Sequence, residues 1–311
     1  MKNARVLTEG AVQLAIFTVL LLLSLYMPVF GMVTTFFLAI PFLLFTMRHT
    51  YKSGLFLLAA SFIPSVWFGS FFSIPMTFMF ASSGVAMGHV WQRKGGKYVV
   101  LLVGTLSFLV SMVIIYASSV LFFDIHIGKQ IEEIMQQSFQ SAQIVLEKIG
   151  QPANEQFEKT MKQTMDIVID LLPTAFVFAA ACFAWITQQA ALPILKRLNM
   201  PIGNWQPFRE LVLPKSLLWY YLAVMLLLFF PIEHGSFLYI ALLNLFQILQ
   251  LLMTIQGFSF IFYWMHHKNM GRKGAIAIAV LSLFFPFLLH LVRILGIIDL
   301  GFDLRKRLKD Q

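Results

Sequence analysis

Long apolar runs separated by short polar segments dominate this chain. The largely uncharged runs cover residues 8–28, 30–47, 54–70, 73–91, 98–123, 167–194, 216–231, 236–265 and 275–298. Most are apolar all round, with neither a strict alternation nor a single 3.6-residue stripe, as helices surrounded by hydrocarbon are. About 20 helical residues cross a bilayer core. The pattern therefore predicts an all-α, polytopic transmembrane helix bundle of eight or nine spans.

One segment differs. In residues 124–166 the apolar positions Ile131, Met135, Phe139, Ala142, Leu146 and Ile149 recur at three- and four-residue intervals, and Phe157, Met161, Met165 and Val168 form a second stripe. This spacing predicts two amphipathic helices, with Gly150-Gln151-Pro152 as the turn between them. The expected organisation is a five-helix membrane segment (1–123), an amphipathic helical hairpin (124–166) whose apolar face caps the bundle, rests on the lipid surface or binds a partner, and a C-terminal membrane segment with a basic tail (167–311).

Charge orients these pieces. Fourteen Lys and Arg residues sit at the N-terminus and in the loops after spans two, four, six and eight, whereas the loops near 29, 72 and 233 carry none. The positive-inside rule then places the N-terminus in the cytoplasm. Residues 124–166 hold Asp124, Glu132, Glu133, Glu147, Glu155, Glu158 and Asp166, half of the chain's 14 acidic residues, and are expected outside. The tail (Arg305, Lys306, Arg307, Lys309) conflicts with nine spans. Hydropathy favours a ninth crossing at 275–298; charge favours a re-entrant segment broken at Pro286. Lys2 and Arg5 before the first run resemble the charged part of a signal peptide, but the run is long and no small-x-small cleavage site follows it. It is expected to remain as the first helix.

Composition narrows the class. Hydrophobic residues make up 59% and charged residues 12%, too few charges to cover a soluble globule of this length. The net charge of +9 is spread over the loops, so it reads as topology and not as a nucleic-acid surface. The single cysteine, Cys182, permits no internal disulfide and no Cys-rich metal site.

The segments LTEGAVQLAIFTVLLLLSLYMPVFG, IPFLLFTMRHTYKSGLFLL and LGIIDLGFDLRKRL resemble the YybS-like family of bacterial integral membrane proteins. That resemblance covers essentially the whole chain and implies a multi-pass protein of the bacterial plasma membrane. The first six spans are also similar to the substrate-binding S components of energy-coupling-factor transporters. Such a likeness implies capture of a small solute and a separate ATPase or coupling subunit. In those proteins an AxxxA motif on the first helix contacts the coupling subunit; Ala11 and Ala15 match it here. The helical insert before span six and the residues after it depart from the S-component pattern.

No HExxH, GxSxG or Walker loop occurs, so neither an enzyme nor a cofactor or metal site is expected. Polar groups inside apolar runs are costly and carry what remains. Asn244, Gln247, Gln250 and Thr254 occupy an arc of roughly 120° on one helix. They form the candidate ligand face, against a bland reading as interhelical hydrogen bonds. Asp166 and Asp170 lie four apart at the start of span six; Asp170 is a candidate cation or gating group, or a carboxylate favoured by a helix N-terminus. His290 and Arg293 share a face; Arg293 is a candidate partner of Asp299 or Asp303, or of an anionic ligand, or a snorkelling side chain. Gly84 and Gly88 form a GxxxG that allows close packing. Trp67 and Trp91 read as interfacial aromatics. Pro41, Pro64, Pro75, Pro173 and Pro286 predict kinks.

Two functions are expected: transport-related solute binding without an ATPase of its own, or a non-transporting scaffold or regulator that works through the 124–166 hairpin or the basic loops. The expected partners are the lipid bilayer and either a coupling subunit or another membrane protein.

Overall fold

The computed structural model describes residues 2–71, 73–149, 155–203, 205–233 and 235–309. Their regular structure is helical throughout: α1 (Lys2–Tyr26), α2 (Pro28–Thr35), α3 (Ile40–Arg48), α4 (Tyr51–Gly69), α5 (Ser73–Gln92), α6 (Lys97–Phe123), α7 (Ile127–Lys148), α8 (Glu155–Asp170), α9 (Leu172–Arg197), α10 (Ser216–Leu227), α11 (Phe237–His267), α12 (Arg272–Phe284), α13 (Pro286–Phe302) and α14 (Leu304–Lys309). A single 3-10 turn, Phe208–Glu210, lies between α9 and α10.

Among the described residues, six segments are long and apolar enough to cross a membrane: Ala4–Tyr26, Val29–Arg48, Tyr51–Gly69, Lys97–Phe123, Leu172–Arg197 and Phe237–His267. The other three expected runs differ for separate reasons. The 20-residue α5 buries half of its length, including Thr77, Phe80, Ser83, Gly84 and Gly88. A helix enclosed by protein need not be uniformly apolar. Only 12 residues long, α10 is shorter than a full crossing. The last run is divided into α12 and α13, because Phe285 adopts an extended backbone (φ −115°, ψ 102°) and Pro286 opens the next helix. A residue before proline is pushed out of the α region.

Most of the other flagged prolines begin helices as well. Pro41, Pro75 and Pro173 fall within the first three residues of α3, α5 and α9, where the missing N–H costs nothing. Of the five, only Pro64 lies mid-helix.

The chain forms two compact units. The first comprises Met1–Gln130 and Ala175–Trp205, so α9 clusters with α1–α6; the second comprises Ile131–Thr174 and Gln206–Gln311. The first unit is filled with aromatic and aliphatic side chains. Phe17, Phe42, Phe80, Phe108, Met87 and Trp91 are fully enclosed. Phe17 meets Phe42 edge-on at 5.0 Å, and Phe80, Phe108 and Phe183 form a triangle with 5.5–5.7 Å separations. Each such pair is worth about 0.5–1.5 kcal/mol beyond its buried area. Trp91 is thus a core residue and not an interfacial anchor, whereas Trp67 is 82% exposed. The α5 glycines let α3 approach: a Cβ on Gly84 would lie 2.3 Å from the Ala39 carbonyl oxygen, and one on Gly88 2.5 Å from that of Leu43.

In the second unit, α11 is the axis, and α10, α12 and α13 pack along it. Gly257 and Gly296 form the α11–α13 crossing; a Cβ on either would fall about 2 Å from a backbone carbonyl of the other helix. The two expected amphipathic helices are present as α7 and α8, while the Gly150-Gln151-Pro152 turn lies outside the described residues. Within α7 no residue is buried. Ile131, Met135, Phe139 and Leu146 are half-buried, whereas Ile134, Ile144 and Val145 are exposed. α8 buries Met161.

Candidate functional site

α11 contains 31 residues, about 46 Å at 1.5 Å per residue. That exceeds the ~30 Å hydrocarbon core by roughly a third of the helix. Its polar residues fall into two groups that face different ways.

Near the start of α11, Asn244 is buried and fully bonded. Its Oδ1 accepts from the Thr174 backbone N–H (2.9 Å) and hydroxyl (2.7 Å), and its Nδ2 donates to the carbonyls of Asp170 (2.6 Å) and Ile240 (2.8 Å). Asn244 thus fastens α11 to the corner where α8 ends and α9 begins. Asn244→Leu is expected to strand a backbone N–H, a hydroxyl and a carbonyl and to cost about 1–3 kcal/mol, measured as a lower melting temperature in detergent.

The rest of the expected ligand face is not so engaged. Thr254 donates to the Gln250 carbonyl on its own helix (2.8 Å). Gln247 and Gln250 are half-buried, and their side chains have no hydrogen-bond partner among the described residues. Beside this end of α11 lies an open cavity of about 550 Å³, lined by Gln163, Asp166, Ile167, Ile169, Asp170, Gly235 and Tyr239. Both carboxylates singled out in the sequence border it.

The densest polar cluster is one that sequence reasoning only partly located. Gln256, on the opposite side of α11 from Thr254, is fully buried. Its Nε2 donates to Asp299 Oδ2 (2.6 Å) and its Oε1 accepts from the Leu213 N–H (3.0 Å). Arg305 Nε reaches the same Asp299 oxygen at 3.0 Å, and the two side chains are only 11% and 2% exposed. Arg305 also donates to the Arg209 carbonyl (2.8 Å) and to Ser259 Oγ (3.0 Å). The Ser259 hydroxyl sits against the Phe208 (2.9 Å) and Leu211 (2.7 Å) carbonyls, and the Arg305 guanidinium lies over the Tyr263 ring at 5.3 Å. Beside it, Lys215 pairs with Asp303 and holds that carboxyl below the usual range.

These contacts bring the start of the basic tail onto the 206–215 segment and the midsection of α11. They also correct the expected pairing of Arg293. Arg293 and Asp299 are six residues apart, about 240° around one helix, so Asp299 faces α11 and takes Arg305 instead. Arg293 is half-buried, its Nε enclosed without a partner, and His290 is exposed. Neither lines the Asp170 cavity. Arg305, the first basic residue of the tail, is enclosed in the cluster. Gln256 and Ser259 were legible only as polar residues three apart in an apolar run.

In the first unit Ala11 and Ala15 are exposed on α1, while Gly84 and Gly88 are consumed by the α3 contact. Cys182 is free and half-buried. Among the described residues no three His, Cys, Asp or Glu side chains converge as a metal set.

A chain whose described residues form helices and no strands, with six segments long and apolar enough to cross a bilayer, is a multi-pass membrane protein. It belongs to the family described as "Predicted membrane protein (DUF2232)", whose model matches residues 15–300. It is 38% identical to "Uncharacterized protein YybS" of Bacillus subtilis (strain 168) over 314 residues, covering 99% of this chain and all of that protein. No solved structure matches it.

Proposed function

We propose that this protein is a transport-related, non-enzymatic binding subunit of the bacterial plasma membrane, which captures a small cationic or polyhydroxyl solute at the α8–α11 cavity and has no ATPase of its own. The observation that carries this reading is the cavity of about 550 Å³ bordered by Asp166 and Asp170. Its volume falls in the range of small-molecule sites, about 300–1,000 Å³, and two carboxylates favour a positive or hydrogen-bond-donating guest. The proposed path extends from this cavity to the unbonded Gln247 and Gln250, which lie further along α11 and outside the cavity lining. The filled interior of the first unit makes its S-component-like half the weaker candidate for the solute site.

In the proposed topology the N-terminus and basic loops are cytoplasmic and α7–α8 lie outside. The meeting of Arg305 with the 206–215 segment supports α12–α13 as a re-entrant hairpin, since both basic segments then share one side.

Native mass spectrometry of the protein in mild detergent tests the solute site. A small molecule is expected to co-purify. Asp166→Asn with Asp170→Asn, and separately Gln247→Leu, are expected to lower its retention at least about tenfold while expression and melting temperature hold. Absence of any bound molecule, together with no response to a panel of amines and sugars, would falsify the reading.

A second reading, a scaffold or regulator, is favoured by α7, which buries none of its residues and leaves Ile134, Ile144 and Val145 exposed. Site-specific crosslinking from Ile134 to a single protein, with no solute bound, would support it.

A further inference from the structure

The first unit carries a feature that the solute-binding proposal does not use. An apolar groove of about 590 Å³ runs between α1 and α4 over the Phe45 ring of α3; Leu7, Ala11 and Leu14 line one wall and Phe56, Leu57 and Ala60 the other. Lys52 lines the same groove at its polar end. An adjoining cavity of about 600 Å³, sharing Val6, is lined by Arg5, Glu9, Arg48 and His49.

The charges at this end do not cancel. Glu9 is the one carboxylate lining either cavity, and it is already engaged: Oε1 with Arg5 Nε at 3.0 Å, Oε2 with His49 Nε2 at 2.9 Å, and Arg48 Nη1 at 3.9 Å. Lys52 makes no ion pair among the described residues, and its side chain is exposed. Three permanent cations thus face a single carboxylate at the mouth of an apolar slot. A strip of hydrocarbon-lined groove ending in surplus positive charge is complementary to one kind of guest, an amphiphile with an anionic head. The surrounding solvent of a multi-pass protein supplies that chemistry as phospholipid, and basic residues beside a membrane segment attract anionic headgroups.

We propose that the α1–α4 groove is a specific site for one anionic phospholipid, its acyl chain lying between Leu7–Leu14 and Phe56–Ala60 and its phosphate held by Lys52 with Arg48. Bound there, the lipid fills the gap between α1 and α4 and neutralises the excess charge at their ends.

The test is native mass spectrometry of the full-length protein released from nanodiscs containing equal amounts of phosphatidylglycerol and phosphatidylcholine. One retained phosphatidylglycerol is expected. Lys52→Gln is expected to lower the phosphatidylglycerol-to-phosphatidylcholine ratio about fivefold, the factor set by ~1 kcal/mol per basic residue at a membrane surface. Ala11→Phe, at an exposed position on the groove wall, is expected to displace the lipid whatever its head. Lys273→Gln, at the basic start of α12, is expected to leave the ratio unchanged. Equal retention of both lipids, or a ratio unmoved by Lys52→Gln, overturns the site. So does retention unaffected by Ala11→Phe in folded protein, or a protein helix crosslinked in the groove in place of lipid. Lys52→Gln removes only an exposed charge, so it remains decisive even if Ala11→Phe does not fold.

Discussion

Asp299→Ala is expected to destabilise the protein by about 3–5 kcal/mol, the usual consequence of removing one member of a buried ion pair. Arg305 would keep its charge in a site where its side chain is 11% exposed, and Gln256 Nε2 would lose its acceptor. The same substitution loosens the link from the tail to the 206–215 segment, because Arg305 bridges them through the Arg209 carbonyl beside the Lys215–Asp303 pair. Thermal unfolding in detergent measures the loss, and limited proteolysis should show earlier cleavage after Arg209 or Lys215. A double replacement, Asp299→Leu with Arg305→Met, discriminates between causes. Two apolar groups of similar volume leave no orphaned charge, so most of the stability is expected to return. If the single and double variants are equally destabilised, the cost lies in packing and not in the unpaired charge.

Gly257→Val is the second substitution with a large expected effect. A Cβ at Gly257 would fall 1.9 Å from the Val292 carbonyl oxygen, so a backbone must move before any side chain fits. Overpacking of this sort costs about 1–3 kcal/mol, and more where the obstacle is backbone. The damage should propagate, since Gly296 meets Met253 at the same crossing with a corresponding gap of 2.1 Å. Gly128→Ala is the control. Nothing lies within 4 Å of its added methyl, and loss of a helical glycine is expected to stabilise by about 0.4–1 kcal/mol. Size-exclusion profiles and melting temperatures of the two variants read the contrast directly. A Gly257→Val protein as stable as the parent would mean that α11 and α13 do not cross at this point.

The residues behind these two expectations differ in how far the chain's pattern reveals them. Asp299 and Arg305 were visible as charges at the end of an apolar run, but their partners were not. Hydropathy treats every position of α11 alike, and a polar arc built from Asn244, Gln247, Gln250 and Thr254 merges residues that do different things. Asn244 closes four hydrogen bonds, Thr254 turns back on its own helix, and the two glutamines stay unbonded. Gln256, two residues beyond Thr254, falls outside that arc, yet it is fully enclosed, as Ser259 is. The glycines show the same limit. Gly84 and Gly88 were recognised from a four-residue spacing within one helix. Gly257 and Gly296 come from two helices, so no local spacing links them. Trp91 was misplaced for a related reason: nearness to a helix end says nothing about whether other helices cover that end.

What the sequence determined by itself is the class of the protein: all-α, multi-pass, and recognisable as a member of its family. Runs of about 20 apolar residues leave the backbone no water to bond, and a helix satisfies every N–H and C=O within the run; that conclusion needs no tertiary information. The tertiary structure decided which polar groups meet. Whether Asp299 faces Arg293 or Arg305 depends on the side of α13 that packs on α11. That in turn depends on the break before Pro286, which folds the last apolar run into two helices and returns the tail to the 206–215 segment. Hydrophobic burial is set by composition over a whole run, whereas a hydrogen bond requires two particular atoms within about 3 Å, and only the packed helices supply that geometry.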